Sequence, residues 1–320
     1  MSYRVDVFDD FHLHGASAPE WNQRYLQVSR GAMRSRLTEF AGGQVHVFRK
    51  WMSERVVQQG ELPANRLCFA LPLHAGEGIP MAQGRALSVD SLLALQGGVE
   101  FTLQRPRAMQ LLAVTVDAGA LWQHMDAGKV KLPRRAARSG VLSIPTEAAQ
   151  NLRARLLASL ADANPDPLAP ALILEALTES LAAAVEVTVP VGPATAAYVV
   201  STTHRMVVQA APSVLSVETV CARLRVSRRT LQNSFHWMAG TTPLDYMRAV
   251  RLNAVRATLH ASDPVELQVG QAAADWGFEH LSHFAERYSA LFGELPSRTV
   301  RKVIQRPRLS VEQAYERIRN

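Results

Sequence analysis

A repeated segment in the C-terminal third restricts the possible folds more than any other part of the sequence. Residues Val217–Phe235 are echoed by Gly270–Tyr288, with matched positions 52 or 53 residues apart. The matched pairs are Cys221 with Ala273, Val226 with Phe278, Leu231 with Phe284, Phe235 with Tyr288, Gly240 with Gly293, and Pro243 with Pro296. The offset grows from 52 to 53 residues after the second pair, which predicts one extra residue in the turn of the second copy. Such a repeat indicates one supersecondary unit used twice.

Each copy has the pattern of a helix-turn-helix motif. In the first copy, Cys221 is small enough for two helices to approach closely, and Val226 can fill the turn. Leu231 and Phe235 then recur four residues apart on one face of a second helix. Ser227 is a good N-cap for that helix because its hydroxyl can accept from backbone N–H groups.

The spacer between the copies also has a helical pattern. Thr242 as cap and Pro243 in the first turn predict a helix that runs to about Ala261. A helix of that length extends roughly 28 Å and can hold two recognition helices about one DNA turn apart, roughly 34 Å. In the second copy, Glu279 is expected at the cap position; it suits the helix dipole but caps less well than serine.

The outward face of the first recognition helix predicts contacts with DNA. Arg229, Gln232 and Asn233 lie opposite the core positions, and their forked donors and acceptors match guanine and adenine in the major groove. Arg228, nearest the helix start, is better placed for a phosphate. An ordinary solvated face is the alternative, although such faces tend to use Glu and Lys, which are absent here.

The second recognition helix is expected to recognise bases more weakly or less selectively than the first. Its outward candidates are His280, Ser282, His283 and Glu286. The Glu286 carboxylate would be repelled by phosphate, although it can accept from cytosine N4. His280 and His283 could also be interpreted as ligands of a metal ion. The sequence supplies no ordered third ligand, so no metal is expected.

Composition supports a polyanionic partner. The net charge is +7, and residues 190–310 hold fourteen Lys and Arg against eight Asp and Glu, so nearly all the excess is C-terminal. Nucleic acid is the first expectation and a membrane surface the second. Two cysteines exclude a disulfide framework and fit a reducing cytoplasm. The start has no signal-peptide pattern, and glutamates interrupt the longest apolar stretch, so no membrane span is expected.

The rest of the chain predicts an α+β protein of two domains. Its strand-like runs are Met33 to Phe40, Gln44 to Trp51, Arg66 to Leu73, Val99 to Leu103 and Gln110 to Val116. Short strands with turn signals predict a small antiparallel β-barrel or sandwich with flanking helices, followed by an all-α domain. The expected boundaries are 1–187 for an effector or dimerisation domain, 188–196 for a proline-containing linker, 197–305 for the DNA-binding domain and 306–320 for a tail.

Two leucine stripes mark the helices that follow the strands. The stripes are Leu152, Leu156 and Leu160, and Leu174, Leu177 and Leu181. They can pack against the strands, form a homodimer seam, or do both.

The N-terminal domain leaves three functions open. It can bind a small-molecule effector, for which Trp51, Phe69 and Phe101 are candidate lining residues, although each also fits a core. It can serve only for dimerisation. The distant third is a cupin-like metal enzyme using His12, His14, His46 and His74. No catalytic motif supports an enzyme, and no cofactor is expected.

Several stretches together resemble the DNA-binding domain of AraC/XylS transcriptional regulators. They are Ser227–Phe235, Pro243–Tyr246, Arg251–Arg256, Trp276–Phe278 and Phe292–Ser297. The resemblance implies a double helix-turn-helix reading promoter DNA, usually in a dimer, in an activator that works with RNA polymerase. It places base-reading roles on Arg229, Gln232 and Asn233, and less firmly on Ser282 and Glu286. Arg225 departs from a common glycine, which predicts a strained turn.

A further resemblance, to the ethanolamine-utilisation operon regulator branch, rests on shorter matches. They are Val226–Asn233, Arg251–Arg256, Trp21–Tyr25 and Val47–Arg49. It implies ethanolamine and adenosylcobalamin as co-effectors.

Overall fold

The computed structural model describes residues 2–18, 21–128, 140–161, 166–186, 192–261 and 269–299. The chain divides into two compact units. The first comprises the described residues of Met1–Arg24, Arg34–Ser53 and Gln58–Pro190. The second comprises those of Tyr25–Met33, Glu54–Val57 and Val191–Asn320.

Strands occupy the N-terminal part and helices the C-terminal part. The strands are β1 (Ser2–Phe8), β2 (Asn22–Gln27), β3 (Ser35–Gly42), β4 (Val45–Met52), β5 (Val56–Glu61), β6 (Arg66–His74), β7 (Met81–Ala82), β8 (Arg85–Ala86), β9 (Ser91–Gln96), β10 (Phe101–Arg105), β11 (Met109–Asp117), β12 (Gly140–Ser143) and β13 (Val185–Glu186). The helices are α1 (Phe11–Ala16), α2 (Ala118–Ala127), α3 (Thr146–Ser159), α4 (Ala169–Ala182), α5 (Gly192–Ala210), α6 (Val217–Leu224), α7 (Arg228–Ala239), α8 (Pro243–Ala261), α9 (Val269–Ala274) and α10 (Leu281–Phe292).

The strands form two antiparallel sheets. The larger has the order β1-β3-β4-β11-β6-β9-β12-β13, and the smaller has the order β2-β5-β10-β7-β8. Neither sheet closes on itself within the described residues, so the barrel alternative is wrong and the architecture is that of open sheets. Each of the five strand-like runs overlaps an observed strand, and β3 joins β4 through a tight turn at Gly43, whose φ of 57° favours glycine.

The leucine stripes pack against the larger sheet. Leu152 and Leu156 of α3 and Leu177 and Leu181 of α4 are fully buried in one cluster with sheet residues such as Val114. The packing interpretation is therefore confirmed, and these buried leucines are not available as an exposed dimer seam. The opposite face of the larger sheet contributes to a second cluster, which includes Phe48, Leu111 and Phe101.

The helical unit begins inside the expected linker. Helix α5 starts at Gly192, and Pro193 lies in its first turn, where a missing N–H breaks no helical hydrogen bond. Residues 188–191 of the predicted linker and the tail 306–320 lie outside the described residues. Leu26 and Val57, from the two short N-terminal segments, belong to the core of this unit. Among the helices described, none combines the length and hydropathy that a membrane span requires.

Candidate nucleic-acid interface

Helices α6 and α7 are joined by a tight left-handed turn. Helix α6 begins at the N-cap Ser216, whose hydroxyl accepts from the Thr219 N–H at 3.0 Å. It ends at Arg225, which has φ 53° and ψ 42°, and the Val226 N–H then donates to the Cys221 carbonyl at 3.1 Å. The strained turn predicted at Arg225 is confirmed, since a non-glycine residue in this region carries a steric cost.

Helix α7 is held by its cap and by one buried face. The Ser227 hydroxyl accepts from the Thr230 N–H at 3.1 Å, which confirms the predicted cap. Leu231 and Phe235 are fully buried, and the Phe235 ring lies 5.0 Å from that of Tyr246 on α8. This burial fixes the rotation of α7 about its axis, so the opposite face must point outward.

That opposite face is exposed as the sequence predicted. Arg228, Arg229, Gln232 and Asn233 are all exposed. Arg228 lies 3.5 Å from the Glu218 carboxylate, and both side chains are about two-thirds exposed. An exposed pair of this kind contributes little to stability, so a phosphate can compete with Glu218 for the guanidinium. Sequence reasoning did not find this pairing, although Glu218 stands in the first turn of α6.

Helices α9 and α10 repeat this geometry about 52 residues later. Gly277, the counterpart of Arg225, has φ 75°, and the Phe278 N–H donates to the Ala273 carbonyl at 3.0 Å. Glycine is needed there because a Cβ would lie 2.3 Å from the Pro212 carbonyl oxygen. The spacer helix α8 runs from Pro243 to Ala261 as predicted.

The outward side chains of α10 are less suited to DNA. His280, Ser282, His283 and Glu286 are exposed, and the His283 Nδ1 lies 4.0 Å from the Glu286 carboxylate. The N-cap is His280 rather than the expected Glu279, and its side chain makes no cap hydrogen bond. The extra residue of the second turn moves the cap position by one.

A buried polar network anchors α10 to α8. Arg256 and Glu294 form an ion pair of 3.0 Å with both side chains about 5% exposed. The Thr299 hydroxyl donates to Glu294 at 2.9 Å and lies 2.9 Å from the Tyr288 hydroxyl. Sequence reasoning placed Arg256 in a family-like stretch and did not assign this role.

The first unit holds a cavity between its two sheets. Its enclosed volume is about 20 Å³, enough for roughly one water molecule, and its walls include Trp21, Phe48 and Phe101. Lys50 and Gln58 supply polar groups. Of the three lining residues predicted from sequence, only Phe101 lines it; Phe69 packs on the helix-covered face, and Trp51 is not part of the wall.

The predicted metal-enzyme histidines do not come together. His14 is buried against the Ser35 hydroxyl at 2.9 Å, while His46 lies 3.2 Å from Glu39. In the part of the chain that the structure describes, no group of three or more His, Cys, Asp or Glu side chains is placed to hold a metal ion.

Comparisons with known proteins agree with the helical geometry. Residues 220–302 match a family described as a helix-turn-helix domain. The chain is 41% identical over 88 residues to a XylDLEGF operon transcriptional activator of Pseudomonas putida, covering 28% of this chain and 27% of the relative. It is 37% identical over 89 residues to a probable thc operon regulatory protein of Rhodococcus erythropolis, with similar coverage.

The C-terminal region therefore carries a helix-turn-helix domain, over residues 220–302. The chain spans only about a quarter of the length of these two relatives. A solved structure, the AraC-like transcriptional activator CuxR, is 16% identical with a TM-score of 0.44, covering 86% of this chain and 100% of that one. The matched region, residues 220–302, includes α7 and α10, and therefore all eight candidate DNA-binding residues.

Proposed function

We propose that this protein is a sequence-specific, DNA-binding transcriptional regulator, and specifically an activator. The observation that carries the proposal is the outward face of α7. Arg229, Gln232 and Asn233 are exposed on a helix whose opposite face is fully buried, within a region that matches a helix-turn-helix domain. In the proposal these three side chains read bases, and Arg228 holds a phosphate.

In the proposal, helices α9 and α10 form a second helix-turn-helix motif that also binds DNA. Its turn hydrogen bond repeats that of the first copy, which supports the assignment. Ser282 would contact bases, and His280 and His283 would lie near the backbone. Glu286 makes this half the weaker binder, because its carboxylate is repelled by phosphate.

The remaining parts of the proposal concern organisation and partners. Residues 1–187 form the effector or dimerisation domain, 188–196 the linker, 197–305 the DNA-binding domain and 306–320 a tail. The regulator acts in the cytoplasm as a homodimer on promoter DNA and engages RNA polymerase. One relative named as an operon transcriptional activator and one named as a probable operon regulatory protein support the regulatory role, which requires no catalysis.

We further propose that the regulator responds to a small-molecule effector. In this proposal the response is located at the cavity between the two sheets, whose aromatic wall carries polar groups from Lys50 and Gln58; the alternative is a domain that only dimerises. Ethanolamine with adenosylcobalamin is the effector pair that the branch resemblance suggests. Thermal melting of the purified protein with each compound tests it, since a ligand at 100 times its Kd stabilises by about 2.7 kcal/mol.

The decisive experiment measures base discrimination. A preferred site is first selected from random DNA with the purified protein, and affinities are then measured for that site and for random DNA. Arg229→Ala and Gln232→Ala are each expected to lose about 1–3 kcal/mol on the preferred site and to relax base choice at one position. Losses of equal size on both DNAs for Gln232→Ala would refute base reading by α7.

Arg228→Ala is the matched control on the same helix. As a phosphate contact it should weaken binding to both DNAs alike and reduce the slope of log affinity against log salt by about one unit. A selective loss on the preferred site would instead reassign Arg228 to base reading.

A further inference from the structure

Two arginines of the spacer helix α8 reach the surface on the same side of the helix. Arg248 and Arg251 are partly exposed and lie three residues apart, so their side chains are neighbours on one face. Ala249, Val250 and Leu252, which surround them in the sequence, are buried. Helix α8 is therefore largely enclosed at this point, and the two arginines mark its open side.

Arg251 lies beside the start of the second recognition helix. Its guanidinium carbon Cζ is 5.0 Å from the centre of the Phe278 ring, a contact that stabilises a cation without neutralising its charge. Phe278 is buried in the turn before α10, two residues ahead of the N-cap His280. The N-terminal residues of a recognition helix are the ones that approach base edges, so Arg251 lies next to the groove in which α10 is proposed to bind.

A third arginine, Arg287 on α10, adds to this concentration of positive charge. Burial lowers the pKa of the Arg251 guanidinium, and the charges of Arg248 and Arg287 lower it further. Arg287 is exposed and follows His283 by one helical turn, on the side of α10 that the proposed function assigns to backbone contacts. We call Arg248, Arg251 and Arg287 the arginine cluster.

The positive charge of the arginine cluster is only partly compensated. Arg248 pairs with Asp245 on the same helix at 2.8 Å. Within the residues described, no carboxylate forms an ion pair with Arg251 or Arg287, and the charges that act on Arg251 are those of the other two arginines. Arginine stays protonated at physiological pH even when its pKa is lowered, so the repulsion persists. This repulsion costs stability in the free protein, and an anion with several acceptor oxygens would offset it.

We propose that the arginine cluster binds a backbone phosphate of DNA beside the groove that α10 enters. Arg251 and Arg287 donate to the phosphate oxygens, for which the forked guanidinium is well suited, and Arg248 adds positive charge while it keeps its pairing with Asp245. The inference rests on the proposed function and adds contacts that the eight candidate residues do not include. It gives the second motif an anchor on DNA despite the carboxylate of Glu286, because phosphate contacts position a reading helix without specifying sequence.

The test measures the affinity of the full-length protein for the preferred site and for random DNA over a range of salt concentrations. Arg251→Met and Arg287→Met should each weaken binding to both DNAs about tenfold, the factor for losing one charge-assisted hydrogen bond. Each should also reduce the slope of log affinity against log salt by about one unit. Arg251→Lys keeps the charge and should retain most of the slope. Arg205→Met removes an exposed arginine from α5 and, as the control for net charge, should leave the slope unchanged.

Thermal melting without DNA separates phosphate binding from a structural role. Arg287→Met removes a like charge from the neighbourhood of Arg251, so the melting temperature should stay unchanged or rise while the affinity for DNA falls. A residue that only maintains the fold would lower both quantities when it is replaced, and that result overturns the proposal. Arg287→Met carries the test alone if Arg251→Met, which also loses the Phe278 contact, fails to fold.

The outcomes distinguish this inference from the proposed function. Unchanged affinities and salt slopes in both methionine variants overturn the arginine cluster as a phosphate site and leave the regulator intact. A loss confined to the preferred site also overturns it, because that result indicates base contacts. A wild-type protein that binds neither DNA refutes the regulator, and this inference with it.

Discussion

At the scale of single residues, Arg225 is a position where substitution should raise stability. Its left-handed conformation costs a non-glycine residue about 1–2 kcal/mol, while glycine costs about 0.5–1 kcal/mol in unfolded-chain entropy. Arg225→Gly is therefore expected to raise the melting temperature of the helical unit by a few degrees. Arg225→Ala removes the same charge but keeps Cβ, and should change stability by less than about 0.5 kcal/mol. A similar gain in both variants would point to charge and not to backbone strain.

His14 should make stability depend on pH. Burial, followed by the charges of Lys50 and Arg105, lowers the pKa of His14 well below its usual value. Below about pH 6.5 the unfolded chain therefore takes up a proton that the folded protein does not, and the unfolding free energy falls as pH falls. Below pH 6.5 the slope of unfolding free energy against pH approaches about 1.4 kcal/mol per pH unit. Above pH 6.5 the stabilising contribution of neutral His14 is fully present.

Denaturant unfolding between pH 5 and 7 tests this dependence. His14→Asn keeps a polar group near Ser35 and should flatten the curve of unfolding free energy against pH, whereas the exposed-histidine control His283→Asn should not. A constant offset of the His14→Asn curve with an unchanged slope would contradict the explanation.

Residues of the candidate site differed in how far the sequence revealed them. The outward positions on α7 follow from helical periodicity once Leu231 and Phe235 are assigned to the core. The inward position of Lys50 could not be predicted from the sequence, because a lysine in an alternating strand is normally interpreted as facing solvent. Only the strand pairings show that it faces inward. Arg256 was likewise identifiable as a motif residue, but its buried ion pair depends on tertiary contacts with Glu294.

At the scale of elements, the two recognition helices differ in their N-caps, and this difference predicts opposite effects of mutation. Ser227→Ala should cost about 1 kcal/mol, since the hydroxyl accepts from the Thr230 N–H, and Ser227→Asp should retain most of the stability. His280 has the extended backbone of a cap but no cap hydrogen bond, so His280→Ser should gain up to about 1 kcal/mol. Urea unfolding without DNA measures all three; a loss of stability in His280→Ser would show that His280 has another role.

Element prediction succeeded where a local signal was strong. The hairpin of β3 and β4 has a glycine turn, and α8 has Thr242 and Pro243 at its start. Strand β5 was missed because its second half is polar, whereas β1 was missed although Tyr3, Val5 and Val7 alternate with Arg4 and Asp6. β-structure also depends on pairing partners that are distant in sequence. The choice between barrel and sandwich was left open for the same reason: strand order is a non-local property.

At the scale of the whole molecule, the helical unit depends on two short segments from the N-terminal third of the sequence. The Asn253 side chain on α8 accepts from the Gln27 N–H at 3.1 Å and donates to the Gln27 carbonyl at 3.1 Å. The side-chain amide of Gln27 in turn donates to the Leu291 carbonyl at 2.6 Å. Leu26 and Val57 lie in the core of the same unit. No sequence pattern indicated this division of the chain.

A fragment of residues 192–320 should therefore be several kcal/mol less stable than the same unit in the full chain. It loses the burial of Leu26 and Val57, each worth about 1.5–3 kcal/mol, and leaves the Asn253 amide without its Gln27 partners, at about 1–3 kcal/mol. Hydrogen exchange of the α8 amides measures the difference. Asn253→Ala should reduce protection strongly in the full chain and only slightly in the fragment, because two mutations that remove one interaction are not additive. Equal reductions in both would show that Asn253 stabilises α8 without the Gln27 segment, and that the helical unit is complete from residue 192 onward.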